Sequence, residues 1–180
     1  MTNKLPWSVH SKPLMLAPMQ GLTNRALRSL FMQWVQPDVV FTEFLRVRPG
    51  SNKALSRVNV TEVSTHNGKV PLVAQLIGRD TRALVAAAEV AQDSGAEHLN
   101  INMGCPFGRM TSGSAGGALL KDPAGLEDML AALRRVIHGS FSVKLRAGYD
   151  DPEQIFTLLP LFEENGVDFL VLHPRTVTQR

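Results

Sequence analysis

The chain has a single cysteine among its 180 residues, which excludes an internal disulfide and gives no sign of an oxidising compartment. It also lacks long apolar runs. Residues 1–12 are polar and do not resemble a signal peptide, and no later stretch is long enough to span a bilayer, so the expected location is the cytoplasm, with no membrane partner. Neither sign of charge dominates: 19 Lys and Arg stand against 16 Asp and Glu, a formal net charge of +3 with a pI near 9.4. That balance permits a polyanionic partner but is far from the charge density of a dedicated nucleic-acid binder. His66, His98 and His138 stand at no metal-ligand spacing, so no metal is expected, and no Ser, His and Asp set suggests a hydrolytic triad. The Gly-rich Ser112-Gly-Ser-Ala-Gly-Gly117 matches neither a P-loop nor Gly-x-Gly-x-x-Gly, and reads by itself as a loop.

What is present is enough for one domain with a sizeable core, with 44% hydrophobic residues. The chain is organised around residues 99–106, Leu-Asn-Ile-Asn-Met-Gly-Cys-Pro. Apolar Leu99, Ile101 and Met103 alternate with polar His98, Asn100 and Asn102, the period of a strand with two different faces, before Gly104 breaks it. A free cysteine is more often a small buried hydrophobe than a reagent. Here Gly104 and Pro106 place Cys105 on a loop at the carboxyl end of a strand, where parallel α/β folds carry their chemistry.

In chain order, residues 13–19 read as a short buried strand, and Asn24 as the cap of a helix through Arg25, Leu27, Leu30, Phe31 and Trp34. Residues 39–42 form a second strand ending at Glu43, and the polar stretch 53–67 a short helix and a turn at Asn67-Gly68 before a strand at 72–76. A helix starting at Asp80 or Thr81 runs to Ser94 and stops at Gly95. The strand at 98–102 is followed by a long Gly-rich loop through Lys121 and a helix from Pro123 to about Ile137. A strand at 142–146, a helix at 152–165 and a last strand at 169–173 complete the pattern.

Six strands alternating with helices or long crossovers predict a parallel sheet, and spacings of roughly 25 to 45 residues suit a (β/α)8 TIM barrel. Such a barrel needs eight strands and about 250 residues. The expectation is therefore an α/β barrel truncated to about its first six β/α units, with a sheet edge and apolar faces left without partners. An open, doubly wound six-stranded sheet is the competing architecture.

Parallel strands covered by helices are normally apolar throughout, yet several here end in polar residues. In Ser142-Val-Lys-Leu-Arg146, Val143 and Leu145 are expected to face the helices, with Lys144 and Arg146 on the other side; Val73 shares a face with Gln75, and Val171 with His173. Buried cations need partners or a ligand, and Glu43 is the candidate partner for Lys144 or Arg146. Each of these residues alone is as well read as an internal ion pair or a satisfied core group. That Gln75, Asn102, Lys144 and His173 all end strands favours one shared polar site.

Taken together, several segments resemble the tRNA-dihydrouridine synthases. They are Ala17-Pro-Met-Gln-Gly-Leu-Thr23, Thr42-Glu43, Gln75, Asn102-Met-Gly-Cys-Pro106, Gly113-Ser-Ala-Gly-Gly-Ala-Leu-Leu120, Lys144-Leu-Arg-Ala-Gly148 and His173-Pro-Arg-Thr176. The resemblance runs in order over residues 14–180. Gly-Cys-Pro with the following Gly-Gly-Ala-Leu-Leu is its most specific part, whereas Ala-Pro-Met and Gln75 occur in other flavin barrels. Thr-Glu-Phe-Leu-Arg-Val at 42–47 looks closest to the bacterial C-type branch, which acts in the tRNA D-loop. Asn100 departs from the family, which more often has Asp there.

The resemblance implies an FMN enzyme that reduces the C5–C6 double bond of a specific uridine in tRNA to 5,6-dihydrouridine, with NADPH as reductant. Pro18, Met19, Gln75, Lys144 and His173 match positions that hold the flavin, Lys144 at its pyrimidine end, where a cation favours the reduced form. Asn102 would bind the target uracil. Hydride would pass from flavin N5 to uracil C6, and Cys105 would give the proton to C5, as suits a thiol of pKa about 8.5 that is mostly protonated at neutral pH. The target base must leave the tRNA stack to reach the barrel mouth, and Arg109, Arg175 and Arg180 are candidates for its phosphates or neighbours, or are simply solvated. By the same resemblance, residues 1–180 are the N-terminal part of the FMN-binding catalytic domain. The family's flavin-phosphate loops after the last two barrel strands, and its C-terminal helical tRNA-binding domain, lie outside this sequence.

Two other readings remain. One is a different FMN barrel oxidoreductase acting on a small pyrimidine or enone, as dihydroorotate dehydrogenases do. The other is an inactive piece that self-associates through its open edge.

Overall fold

A computed structural model describes residues 5–50, 53–66, 68–106 and 114–179. Its strands are β1 (Met15–Leu16), β2 (Val39–Phe41), β3 (Leu45–Arg46), β4 (Leu72–Ile77), β5 (His98–Met103), β6 (Ser140–Arg146) and β7 (Phe169–His173). Between them lie helices α1 (Arg25–Trp34), α2 (Arg57–Ser64), α3 (Thr81–Asp93), α4 (Pro123–Val136) and α5 (Gln154–Glu164), and a 3-10 helix at Gly116–Lys121. The helices begin where capping chemistry allows. Asn24, Ser56, Asp80 and Asp122 each accept a backbone N–H from three residues on, which satisfies a donor the first turn leaves open. Gly95, at φ +103°, ends the segment after α3 in a conformation only glycine adopts freely.

All strand pairs are parallel, in the order β1-β2-β4-β5-β6-β7, with β3 also pairing β4. Each strand thus lies beside its predecessor. A doubly wound sheet reverses its strand order at a switch point, so the monotonic order decides for the barrel: the sheet is a half-barrel of β/α units. Its outer strands are β1 and β7, and Trp34 on α1 and Phe156 on α5 are exposed.

The convex face of the sheet carries most of the core. Leu76, Leu99, Ile101, Met103, Val143 and Leu145 pack against Leu84, Ala87, Ala88 and Ala91 of α3, Leu130 and Leu133 of α4, and Phe162 of α5. The run of buried alanines lets α3 lie close to the strands. The concave face holds a smaller cluster of Val39, Phe41 and Val73, covered by Met15, Phe169, Val171 and Trp7. Trp7 meets Phe169 edge-on, with ring centroids 4.7 Å apart, at the end of the half-barrel away from the polar strand ends.

Two elements differ from the sequence reading. The strand β3 has no counterpart in it, and the register explains why. Phe41 faces Val73 and Leu45 faces Leu76, so β2 and β3 are one strand interrupted by one extra residue, a bulge. Thr42 fastens it by donating its N–H to the Val73 carbonyl and accepting the Gln75 N–H on Oγ1, both at 3.0 Å. The Gly-rich loop expected through Lys121 is instead helical from Gly116, because Leu120 is buried in the main core and Gly117 packs on Val177.

Candidate active site

At the carboxyl ends of the strands the concave face opens into a cleft of about 550 Å3. Pro18 reaches it from the end of the first strand segment, Asn102 and Cys105 from β5 and its loop, Lys144 from β6 and His173 from β7. Strand alternation puts them there. Val143 and Leu145 sit in the helix-facing core, and Val73 and Val171 join the concave cluster, so Lys144, Arg146, Gln75 and His173 point to the interior as the sequence predicts. A wider depression of about 690 Å3 beside Lys121 and Tyr149 draws its lining from the end of the 3-10 helix, the turn at 149–153 and α5, and none of these lining residues lies on a strand.

The loop bearing Cys105 is held from three sides. Asn102 Oδ1 accepts the Gly104 N–H at 3.2 Å and the Cys105 N–H at 3.0 Å, a turn made by the asparagine's own side chain. Arg146 Nε donates to the Gly104 carbonyl at 3.0 Å, while its Nη1 donates to the Thr176 carbonyl at 2.8 Å. The Gly117 N–H donates to the Cys105 carbonyl at 3.0 Å.

Below the cleft floor lies a polar row. Asn102 Nδ2 donates to Gln75 Oε1 at 2.9 Å, Gln75 Nε2 to Asn100 Oδ1 at 2.8 Å, and Asn100 Nδ2 to Ser142 Oγ at 2.8 Å. Gln75 and Asn100 are both 0% exposed, so Gln75 lies beneath Asn102 rather than on the cleft surface.

Electrostatically the cleft is cationic. Burial, and then the charge of Arg146, hold the Lys144 ammonium below the usual lysine pKa, partly offset by Cys105. Burial followed by Arg175 lowers Arg146, and burial followed by Arg146, Lys144 and Arg175 lowers His173. Such a group of bases gains from a ligand carrying negative charge.

Glu43 does not pair with Lys144 or Arg146, contrary to expectation. Its carboxylate accepts the Gly21 N–H at 2.9 Å, and the ion pairs among the described residues are Arg28–Glu62 and Arg134–Asp168. The bulge sets Glu43 beside the loop that follows β1, with β4 and β5 between it and β6. Arg146 is satisfied by backbone carbonyls instead.

The remaining expected residues are more dispersed. Met19 is 40% exposed next to Pro18, and Arg175 is exposed on the rim, its N–H donating to His173 Nδ1 at 3.3 Å. Arg109 and Arg180 lie outside the described residues. Gln20, Phe44 and Pro106 line the cleft without having been singled out as site residues. All three stand inside motifs that carry the family resemblance, but that Phe44 reaches the cleft depends on the bulge, which has no periodic signal. Among the described residues no group of three or more His, Cys, Asp and Glu stands ready to hold a metal ion, and no helix is long and apolar enough to cross a membrane.

A parallel β/α half-barrel with a polar, cationic cleft at its carboxyl strand ends defines a TIM-barrel type of catalytic scaffold. Residues 15–180 match the family model described as dihydrouridine synthase (Dus). The chain is 31% identical over 165 residues to tRNA-dihydrouridine synthase B of Vibrio cholerae, covering 91% of this chain and 50% of that protein. It is 32% identical over 169 residues to tRNA-dihydrouridine(16) synthase of Haemophilus influenzae, covering 91% and 54%. The chain belongs to the dihydrouridine synthase family, and it spans about half the length of the curated relatives it matches.

Proposed function

We propose that residues 1–180 form the N-terminal part of the catalytic barrel of an FMN-dependent tRNA-dihydrouridine synthase. The protein would act in the cytoplasm on a uridine of tRNA, with NADPH as the electron source. The observation that carries this reading is the placement of Cys105 beside Lys144 at one cleft: Asn102, which caps the Cys105 loop, is the cross-strand partner of Lys144. The family membership and the names of the relatives support the substrate.

The residues present fit a flavin. Lys144 is a partly desolvated cation inside a cleft of the size that small cofactors occupy, with no carboxylate paired to it among the described residues. Pro18, Met19 and His173 would border the ring, and Gln75 would act from below, through Asn102. Bound there, FMN would supply the hydride chemistry at uracil C6, with NADPH as the source of its electrons.

The chain's own groups do the rest. Asn102 orients the pyrimidine, and Cys105 donates its thiol proton to C5 as negative charge develops on the ring. The three restraints on the Cys105 backbone keep the sulfur where that proton is needed. Lys144 and Arg146 favour the build-up of negative charge in the cleft. The target nucleotide has to be extruded to enter, and Arg109 and Arg175 would meet its phosphates or neighbouring bases.

The test is reduction of unmodified tRNA by the complete protein with NADPH, read as dihydrouridine by mass spectrometry. Dihydrouridine formation that falls by at least about 100-fold in Cys105→Ala, with the flavin spectrum kept, is expected. Turnover of free uracil or orotate without activity on tRNA would overturn the substrate, and full turnover by the alanine variant would overturn the acid.

A further inference from the structure

The polar row beneath the cleft has a direction. Ser142 Oγ–H donates to the Leu99 carbonyl at 3.1 Å, which leaves its lone pairs to accept from Asn100 Nδ2. The Asn100 carbonyl is thereby turned to Gln75 Nε2, and the Gln75 carbonyl to Asn102 Nδ2. At the other end Asn102 Oδ1 is occupied by the N–H groups of Gly104 and Cys105. Turning Gln75 or Asn102 over would set N–H against N–H and carbonyl against carbonyl at its neighbours, and turning Asn100 over would set its N–H against that of Gln75. Gln75, Asn100 and Ser142 are fully buried, so water cannot rescue such a mismatch.

An amide oxygen has two lone pairs and an amide nitrogen two hydrogens. Both lone pairs of Asn102 are used by the Cys105 loop, and one Nδ2 hydrogen by Gln75. What Asn102 has left to offer the cleft is its second N–H. The geometry points to Asn100 and Ser142 as positioning residues: through this one-way relay they hold Gln75 and Asn102 so that Asn102 presents a donor to the ligand and never an acceptor.

The ligand atom opposite Asn102 is therefore an acceptor, such as a ring carbonyl oxygen, and a ring N–H placed there is rejected. Asn100 is suited to the relay because its amide both accepts from Gln75 and donates to Ser142. A carboxylate at the same place still accepts from Gln75 and can accept the Ser142 hydroxyl proton, so it keeps the polarity of Gln75. A leucine of similar size does neither.

The kinetic part of this inference rests on the function proposed above, so the test pairs it with a measurement that needs no turnover. In the complete protein, exchange of the Gln75 and Asn102 side-chain amide hydrogens is followed by NMR in Asn100→Leu, Asn100→Asp and Ser142→Ala. Exchange faster by at least about tenfold in Asn100→Leu, and by about threefold in Ser142→Ala, is expected, with Asn100→Asp close to the parent. Dihydrouridine formation should follow the same order. For Asn100→Leu, kcat falls by at least about tenfold while KM for tRNA stays within about threefold, and Asn100→Asp recovers most of the loss. Ser142→Ala decides the matter should Asn100→Leu fail to fold. Parent-like exchange in both Asn100→Leu and Ser142→Ala overturns the relay, as does an Asn100→Asp protein as impaired as Asn100→Leu. Altered exchange in a protein that makes no dihydrouridine under any condition leaves the relay standing and removes the tRNA reading alone.

Discussion

The Gly117 N–H donates to the Cys105 carbonyl at 3.0 Å, and a Cβ built on Gly117 would lie 2.6 Å from Val177 Cγ2 and 3.3 Å from the Cys105 oxygen. Gly117 is thus a clamp on the cysteine loop, and a glycine is needed there for close approach rather than for a turn. Gly117→Ala must push Val177 or the Cys105 backbone aside. A loss of about 1–3 kcal/mol in stability is expected, together with a fall in dihydrouridine formation of about tenfold, since small displacements of a reacting group cost rate steeply. Chemical denaturation and single-turnover kinetics measure the two; an unchanged rate would show that the clamp does not set the sulfur.

Arg146 ties the same loop to the segment after β7 by donating to the carbonyls of Gly104 and Thr176. The bridge needs the forked geometry of a guanidinium, which one ammonium cannot reproduce. Arg146→Lys should therefore keep the positive charge but loosen Cys105, raising its alkylation rate by iodoacetamide about threefold or more. Equal alkylation rates for the two proteins would assign Arg146 to charge alone.

The faces of β5 and β6 were legible in the sequence because alternation is local. Val143 and Leu145 against Lys144 and Arg146 needs only the order of residues and the pleat of a strand. The partner of Glu43 was not legible, because it depends on a one-residue bulge that changes no periodicity and on which strands stand between β2 and β6. The relay through Asn100 was hidden for a related reason. Its direction comes from the register that pairs Gln75 with Asn100 and Asn100 with Ser142, and register belongs to the assembled sheet.

Arg28 on α1 is 1% exposed and donates to the Thr23 carbonyl, to Glu62 Oε2 and to the Glu62 carbonyl, joining α1 and α2 behind the loop that carries Met19. Removing the carboxylate leaves a buried guanidinium with backbone partners only. Glu62→Ala should cost about 3 kcal/mol by urea denaturation, and Glu62→Gln, which keeps an acceptor, distinctly less. Equal losses would show that charge, not hydrogen bonding, holds the pair.

Lys144 supplies the pH dependence. Burial and Arg146 lower its pKa from the ordinary value of 10.5, so in the window between the lowered value and 10.5 the unfolded chain binds more protons than the folded one. This site therefore adds stability as pH rises through that window, and withholds it below. In the function proposed here for the cleft, with a flavin beside Lys144, the dependence runs the other way. The protonated ammonium favours electron-rich ligands, so bound flavin should be easier to reduce when Lys144 is charged, and that advantage should fade as pH rises. Lys144→Met removes the charge at every pH. Potentiometric titration is expected to show a lower flavin reduction potential in Lys144→Met at neutral pH, with the two proteins converging at alkaline pH; a constant gap between them would mean that Lys144 does not titrate beside the flavin.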